Sequence, residues 1–160
     1  MRAMEWRRGT HVVSDERARL QLDVIHGYLA RSYWAAGIPR ELVRRSLEHS
    51  LPFGLYRADE GGGERQVGFA RAISDRATFA YLADVFVLEA ERGRGLARFL
   101  VECVHAHPEL VGLRRWLLVT RDAHGLYERL GWRALATPER HMEITRPDSY
   151  GAQRPVGPRA

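Results

Sequence analysis

Residues 84–97 of this 160-residue chain read DVFVLEAERGRGLA, and they are the most informative segment of the sequence. An apolar run ends in two arginines that alternate with two glycines, at positions 92 to 95. A helical pattern follows at once, because apolar residues recur at i, i+4, i+7 and i+8: Leu96, Leu100, Cys103 and Val104. The stretch therefore predicts a strand, a glycine turn and the start of an amphipathic helix.

This arrangement is typical of a site for anions. The first N–H groups of a helix have no partner inside the helix, and the helix dipole adds partial positive charge there. Gly93 and Gly95 let the backbone approach a phosphate, and Arg92 and Arg94 offer forked donors to its oxygens. The dinucleotide fingerprint is excluded because its third glycine would be Arg98. The nucleotide-triphosphate loop needs a lysine, and the chain has none. We predict a diphosphate cradle of another kind.

Two motifs resemble one enzyme family. Arg92-x-x-Gly95-x-Ala97 matches the R/Q-x-x-G-x-G/A signature of the GNAT family of acyl-CoA-dependent N-acyltransferases. About thirty residues later, residues 126–132 (LYERLGW) match that family's L-Y-x-x-x-G-F/W segment. The resemblance covers residues 8–146 and implies an α/β fold, in which a central, twisted, mixed sheet is flanked by helices. Residues 1–7 and 147–160 are expected to be flexible termini.

The elements follow from apolar periodicity and turn residues. Strands are predicted at residues 11–13, 52–58, 66–74, 78–88, 115–120, 132–135 and 142–145. Helices are predicted at residues 20–29, 40–49, 95–107 and 123–130. After Arg146 the composition shifts to Pro, Gly, Ser and Arg, which predicts a disordered tail.

Composition narrows the class of protein. No apolar stretch reaches 18 residues, so no membrane span is expected, and the N-terminus lacks the apolar core of a signal peptide. With a single cysteine, Cys103, this favours a reduced, cytoplasmic setting. All 25 basic residues are arginine and asparagine is absent, which indicates a coding bias. The arginines are spread along the chain, so the net charge of +5 favours an anionic ligand over nucleic acid.

The resemblance implies acetyl-CoA as co-substrate. Its pyrophosphate is expected on Arg92, Gly93, Arg94, Gly95, Leu96 and Ala97. Its pantetheine arm is expected beside Phe86, Val87 and Leu88, with an oxyanion-binding N–H at Phe86 or Val87. Many family members carry an asparagine seven residues before the motif tyrosine. Here that residue is Thr120, whose hydroxyl can replace one contact, and Arg121 or Asp122 can add others.

Two residues are candidates for the chemistry. By resemblance, Tyr127 is the general acid that protonates the leaving thiolate; the alternative is a helix-end tyrosine with its hydroxyl in water. Asp84 lies in an apolar strand, where a carboxylate is costly unless it is paired or functional. Residues 82–87 (LADVFV) resemble the L-E-D-F-F-V stretch of polyamine-acetylating members, with Ala83 in place of the first acid. Asp84 is thus expected to orient an amine or accept its proton through water, or else to pair with an arginine.

The acceptor pocket is expected between the first two helices and the sheet. The candidates to line it are His26, Tyr28, Ser32, Tyr33, Trp34 and Glu41. Tyr33 and Trp34 either stack an amine or cap the core. His105 and His107 have no acidic or cysteine partner nearby in sequence, so no metal is predicted. Cys103 falls on the apolar face of its helix and is not expected to be a nucleophile.

The predicted reaction is direct transfer of an acetyl group to a primary amine of a small molecule. Three alternatives stay open: acetylation of protein lysines or N-termini, a non-catalytic acyl-CoA-binding regulatory module, and an arginine-rich nucleic-acid binder. Homodimers are common in the family, so the resemblance leaves a homodimer open, but the sequence does not reveal the oligomeric state.

Overall fold

The computed structural model describes residues 2–150. Its centre is one six-stranded sheet in the order β1-β2-β3-β4-β5-β6, and only β5 and β6 are parallel. The strands are β1 (Glu5–Arg8), β2 (His11–Ser14), β3 (Leu51–Ala58), β4 (Glu64–Ser74), β5 (Phe79–Val87) and β6 (Arg115–Leu117). The α-helices are α1 (Leu22–Leu29), α2 (Arg40–Glu48), α3 (Leu96–His105) and α4 (His124–Glu128). This mixed sheet with flanking helices confirms the predicted fold class.

The sheet buries apolar side chains on both faces, as a layered α/β architecture requires. Phe69 and Phe86 pack with residues of α1 and α2, including Ile25 and Val43. Their neighbours along the strands, such as Ala70 and Val87, instead pack with α3. Successive side chains of a strand point to opposite faces, so α1 and α2 cover one face and α3 covers the other.

The sheet opens between β5 and β6. Residues 79–81 pair in parallel with residues 115–117, and β6 then ends. Within the described part of the chain, residues 82–87 of β5 have no partner strand on this side. The second half of β5 therefore presents one edge of its backbone to a wedge-shaped gap, beyond which α4 begins.

Three predictions about the elements were wrong. Residues 132–135 and 142–145 were expected to be strands, but neither pairs with the sheet. Trp132 instead packs against Trp116 and His105, while Met142 and Ile144 are 99% and 89% exposed. The strand expected at residues 115–120 stops at Leu117. Apolar alternation indicates what can form a strand, but not whether a free edge lies within reach.

The N-terminus is more structured than expected. Residues 5–7, assigned to a flexible terminus, form β1 and pair with β2. The signal was weak because Trp6 is the only apolar residue in this strand. The tail expected to be disordered lies largely outside the described residues. Between residues 2 and 150, no helix is long and apolar enough to cross a membrane.

Candidate active site

Two cavities lie on either side of α4. The smaller, about 220 Å³, is formed by the arginine-glycine loop and the start of α3. The larger, about 870 Å³, lies between the α2 side of the fold and β5. Leu126 and Arg129 line the smaller cavity, whereas Ala123 and Tyr127 line the larger. A single short helix thus contributes residues to both.

The loop has the geometry that the motif predicts. Gly93 and Gly95 have φ values of +79° and +71°, in the left-handed region that favours glycine. Gly95 is also the residue from which α3 begins. Gly93, Gly95, Leu96 and Ala97 all line the smaller cavity. This brings the unpaired N–H groups at the start of α3 to a cavity large enough for an anion.

Arg92 ties the loop to its surroundings. Its Nε donates to the carbonyl oxygen of Val87 (3.1 Å), and its Nη2 donates to the hydroxyl of Tyr28 (2.9 Å). Tyr28 itself stacks on Phe86 with ring centroids 4.0 Å apart. Arg92 still lines the smaller cavity, so it can add charge to the cradle while it fixes the end of β5.

Arg94 does not line the cradle, contrary to its expected place there. Its Nη1 lies 3.2 Å from Oε2 of Glu91. Glu91 is only 6% exposed and also pairs with His11 (3.1 Å) and Arg57 (2.7 Å). Burial raises the pKa of Glu91, but hydrogen bonds from Arg57 and His11 outweigh burial and hold it below its ordinary value. Arg94 thus joins an ionic cluster around the buried Glu91.

Two arginines that the motif did not single out line the smaller cavity instead. Arg98 lies near the start of α3, and Arg129 follows α4. The sequence did offer a signal for Arg98, because it lies in the first turn of the predicted helix, next to the N–H groups that the motif assigns to the ligand. Nothing in the sequence brought Arg129 to the loop, since this contact depends on how α4 packs.

The open edge of β5 refines the residues expected to hold the pantetheine arm. The N–H of Leu88 donates to the carbonyl oxygen of Val67 (2.8 Å), so it is used within the sheet. The carbonyl of Phe86 also faces β4: its oxygen is so close to Gly68 that a Cβ added to this glycine would lie 2.8 Å from it. Successive backbone groups of a strand alternate between its two edges, so the N–H of Val87 is the one expected to face the gap.

Asp84 lies in a β-bulge. Phe69 pairs with Phe86 and Arg71 pairs with Ala83, so one residue of β4 faces two of β5. Asp84 has φ +56°, which is unusual for a residue other than glycine, although aspartate tolerates it better than most. The bulge directs its carboxylate to two partners: the Arg71 guanidinium forms an ion pair with Oδ2, and Trp34 Nε1 donates to Oδ1 (3.0 Å). The arginine pairing that the sequence left open as an alternative is therefore present.

Tyr127 is buried in the wall of the larger cavity, with 8% exposure. Burial, with a smaller contribution from Tyr33, raises the pKa of its phenol to about 12. No described residue forms a hydrogen bond with this hydroxyl. Thr120 lines the same cavity, and its Oγ1 accepts a hydrogen bond from the Ala123 N–H (3.0 Å), which helps α4 to begin. Thr120 thus positions α4, and with it Tyr127.

Only some of the expected acceptor residues reach the larger cavity. Tyr33 and Trp34 line it and are 46% and 40% exposed. The Tyr33 hydroxyl accepts a hydrogen bond from the Arg121 N–H (3.0 Å), and the Arg121 guanidinium lies 3.9 Å from its ring centroid. These two aromatic side chains therefore form a rim rather than part of the core.

The other expected acceptor residues have structural contacts. His26 donates to the Ile38 carbonyl (3.0 Å), and the Ser32 hydroxyl donates to the Leu29 carbonyl (2.7 Å). Glu41 pairs with Arg44 on the outside of α2. None of these three, nor Tyr28, lines the larger cavity. Several residues that were not predicted from the sequence line it as well: Arg45, Ser46, His49, Arg71, Tyr81 and Tyr150.

The paired histidines and the cysteine have structural roles. His105 accepts from Trp132 Nε1 (3.2 Å), while His107 lies 2.9 Å from Asp15 Oδ2. No cluster of three or more metal-ligating side chains occurs among residues 2–150. Burial raises the pKa of the Cys103 thiol to about 12, so it is a poor nucleophile.

Comparison with known proteins agrees with this geometry. The family model described as an acetyltransferase (GNAT) domain matches residues 52–134. A crystal structure from Xanthomonas campestris pv. campestris, provisionally named a GNAT-family acetyltransferase, is 48% identical with a TM-score of 0.82, over 89% of this chain and 97% of that one. A Gibberella zeae protein, provisionally named an acetyltransferase, is 34% identical over 76% of this chain and 78% of its own length. The chloroplastic serotonin N-acetyltransferase 2 of rice (Oryza sativa subsp. japonica) is 33% identical over 66% of this chain, which spans 60% of that enzyme.

The family model covers both motifs, and the relatives match most of the chain. The first motif forms the glycine loop at the start of α3, and the second contains the buried tyrosine of α4. This chain therefore belongs to the GNAT family of acetyltransferases and is an N-acyltransferase enzyme.

Proposed function

We propose that this enzyme transfers an acetyl group from acetyl-CoA directly to the primary amine of a small molecule. The observation that carries the proposal is that α4 lines both cavities. The smaller suits the cofactor's pyrophosphate and the larger suits the acceptor. Tyr127 faces the larger cavity from the helix that separates them, which is where the acetyl group would pass between the two ligands.

The residues of the smaller cavity fit acetyl-CoA. Gly93 and Gly95 leave open space around the loop, since a Cβ on either would meet no atom within 4 Å. The N–H groups that begin α3, with Arg92, Arg98 and Arg129, supply positive charge for a diphosphate. The unpaired edge of β5 offers backbone groups to the amides of the pantetheine arm. Bound there, acetyl-CoA supplies the activated thioester.

Each proposed catalytic step is assigned to a group of this chain. The Val87 N–H is placed to stabilise the oxyanion as the amine attacks the thioester carbonyl. The Tyr127 hydroxyl stays protonated at neutral pH and donates its proton as the carbon–sulfur bond breaks. Both oxygens of Asp84 already accept hydrogen bonds, so we assign it to orienting the amine rather than to taking its proton. The amine attacks in its neutral form, and the proton that its nitrogen loses on becoming an amide passes to solvent water.

Two observations support a small acceptor over a protein. Tyr150 forms part of the wall of the larger cavity. Its carbonyl oxygen is so close to Gly37 that a Cβ added there would lie only 2.9 Å from it, so the chain after α4 packs tightly against the connector between α1 and α2. One relative is named for its action on serotonin, a small amine. An open groove for a peptide would lack such a wall. The homodimer and the cytoplasmic setting stay predictions, which sedimentation and cell fractionation can test.

The first experiment measures acetyl-CoA binding by thermal shift. Acetyl-CoA at about 100 times its Kd stabilises the folded state by roughly 2.7 kcal/mol, a shift on the order of 5 °C for a domain of this size. Release of the thiol is then followed across a panel of small amines and lysine peptides. No shift at millimolar acetyl-CoA contradicts the cofactor assignment. A shift without turnover on any amine favours a non-catalytic acyl-CoA-binding module, and turnover on peptides alone favours a protein acetyltransferase.

The role of Asp84 has its own test. Asp84→Asn keeps an acceptor for Trp34 but removes the charge that pairs with Arg71. We expect KM for the amine to rise about tenfold, because a charged hydrogen bond contributes roughly 1.5–3 kcal/mol and this site is shared with an arginine. Initial rates at varied amine and saturating acetyl-CoA give the comparison. Unchanged KM and kcat would remove Asp84 from the site.

A further inference from the structure

We propose that the acceptor carries, besides its amine, an anionic oxygen group that Arg45 binds. The group is a carboxylate or a phosphate, which share the planar or forked oxygen pattern that a guanidinium recognises. This inference deepens the proposed function, because it assumes that the larger cavity holds the acceptor. It assigns a specificity-determining role to a residue outside both family motifs.

The charges of the larger cavity carry the argument. Five side chains that can bear charge line it: Arg45, His49, Arg71, Asp84 and Asp122. Arg71 and Asp84 form an ion pair with each other, and Asp122 Oδ2 lies 3.7 Å from Arg121 Nη2. Arg45 has no ion pair and no hydrogen bond with any side chain in the described part of the chain. A hydrogen bond from Arg44 lowers the pKa of Glu41 and the charge of Arg45 contributes to the same shift, but Glu41 does not line the cavity. Among the described side chains that line the cavity, Arg45 is therefore a positive charge without a direct partner.

The position of Arg45 on α2 brings this positive charge to the larger cavity. Arg45 lies in the last turn of α2, His49 is the residue that follows the helix, and both line the cavity. Their neighbour Arg44 does not line the cavity and pairs with Glu41 and Glu48 instead. The same helix thus carries one arginine that is neutralised at the surface and one that is left available to a ligand.

The size of the cavity is consistent with a bifunctional acceptor. At about 870 Å³ it is near the upper end of the range for small-molecule pockets, which is roughly 300–1,000 Å³. Asp84 and Tyr127 line it from β5 and α4, whereas Arg45 and His49 line it from α2. An acceptor with its amine toward Asp84 therefore has room for a second group at the α2 wall. That wall offers a guanidinium and an imidazole, and no carboxylate of α2 lines the cavity.

The test compares matched amines on three proteins. The pairs are ω-aminovalerate with n-pentylamine, and phosphoethanolamine with ethanolamine, so that the members of each pair differ in the anionic group. The proteins are the wild type, Arg45→Gln and the control Arg44→Gln, which loses the same charge from the same helix. We expect the wild type to prefer the anionic member of at least one pair by about tenfold in kcat/KM. Arg45→Gln should abolish that preference through KM, while Arg44→Gln keeps it.

A second readout does not depend on turnover. The calorimetric affinity of each anionic amine is measured on the same three proteins. Weaker binding in Arg45→Gln alone supports the inference even if no amine is acetylated, a result that would count against the proposed function instead. Equal use of both members of each pair overturns the inference while the proposed function stands. Equal loss of affinity in Arg45→Gln and Arg44→Gln also overturns it, because a general charge effect would then explain the result.

Discussion

Replacing Tyr127 by phenylalanine removes one hydroxyl and leaves the packing of α4 nearly unchanged. Burial holds the pKa of this phenol near 12, whereas an ordinary thiol has a pKa of about 8.5. Full proton transfer to a free thiolate is therefore uphill by roughly 3.5 pKa units, or about 5 kcal/mol. The hydroxyl is effective only if it donates while the carbon–sulfur bond is breaking. We expect kcat to fall about 100-fold, the low end of the range for general-acid catalysis.

The assay is steady-state thiol release at saturating acetyl-CoA and amine, across pH 6 to 10. A phenol with its pKa raised to about 12 stays protonated over this whole range. As pH rises toward 10, kcat of the wild type should therefore change in the same way as kcat of Tyr127→Phe, so that the two pH profiles run parallel. Stability should change by less than about 1 kcal/mol, because no described residue bonds to the hydroxyl.

Tyr56→Phe provides the matched control. Tyr56 is 1% exposed in β3, its hydroxyl is buried without a partner, and burial raises its pKa. Removing this hydroxyl should leave kcat unchanged and should not lower stability. Tyr127 is not the general acid if Tyr127→Phe keeps the wild-type kcat when chemistry limits the rate, or if both variants lose activity together. A wild-type decrease between pH 8 and 10 that disappears in Tyr127→Phe would contradict the raised pKa.

Three further predictions concern the loop and its support. Leu100→Ala removes a fully buried side chain of α3 and should lower the free energy of unfolding in urea by about 3–5 kcal/mol; a loss below about 1 kcal/mol would contradict its place in the core. Gly95→Ala forces an alanine to φ +71°, so it should lower the free energy of unfolding by about 1–2 kcal/mol and reduce the thermal shift with acetyl-CoA. The control Gly27→Ala, within α1, should lower neither the stability nor the thermal shift. The lowered pKa of Glu91 stabilises the fold above its unfolded pKa near 4.5, and this stability is lost as pH falls through the folded pKa. In Glu91→Gln, the free energy of unfolding measured in urea should therefore fall less at acidic pH than in the wild type. An equal fall in both proteins would exclude the ionic cluster around Glu91 as its source.

Local patterns predicted the helices and the central strands well. The helix after the glycine loop was expected at residues 95–107 and runs from Leu96 to His105. Its start is encoded locally, because Gly93 and Gly95 supply the left-handed turn and the apolar stripe follows directly. The family motifs singled out Tyr127 and Arg92, which line the larger and the smaller cavity; their roles in catalysis and cofactor binding stay predictions.

Tertiary contacts decided what the sequence could not predict. The bulge at Asp84 depends on how β4 and β5 pair, and Arg71 is thirteen residues away along the chain. Arg94 was assigned to the ligand, but a buried glutamate with two other basic partners attracts it. Arg45 looked like any surface arginine of an amphipathic helix, because only the packed fold shows that it lines the cavity while its neighbour Arg44 pairs with Glu41 and Glu48 outside it.

The short pairing of β5 with β6 has a consequence for motion. Among the residues that the structure describes, only 79–81 and 115–117 pair β6 with the rest of the sheet, so few hydrogen bonds must break for this edge to separate locally. A ligand that forms hydrogen bonds with the free edge of β5 and also packs against α4 would connect β5 to the segment of β6 and α4, as an added strand would. We therefore expect the amides of β6 and α4 to exchange with solvent deuterium quickly in the free enzyme and more slowly with acetyl-CoA bound. The amides of β3 and β4, each paired along both edges, should exchange slowly in either state.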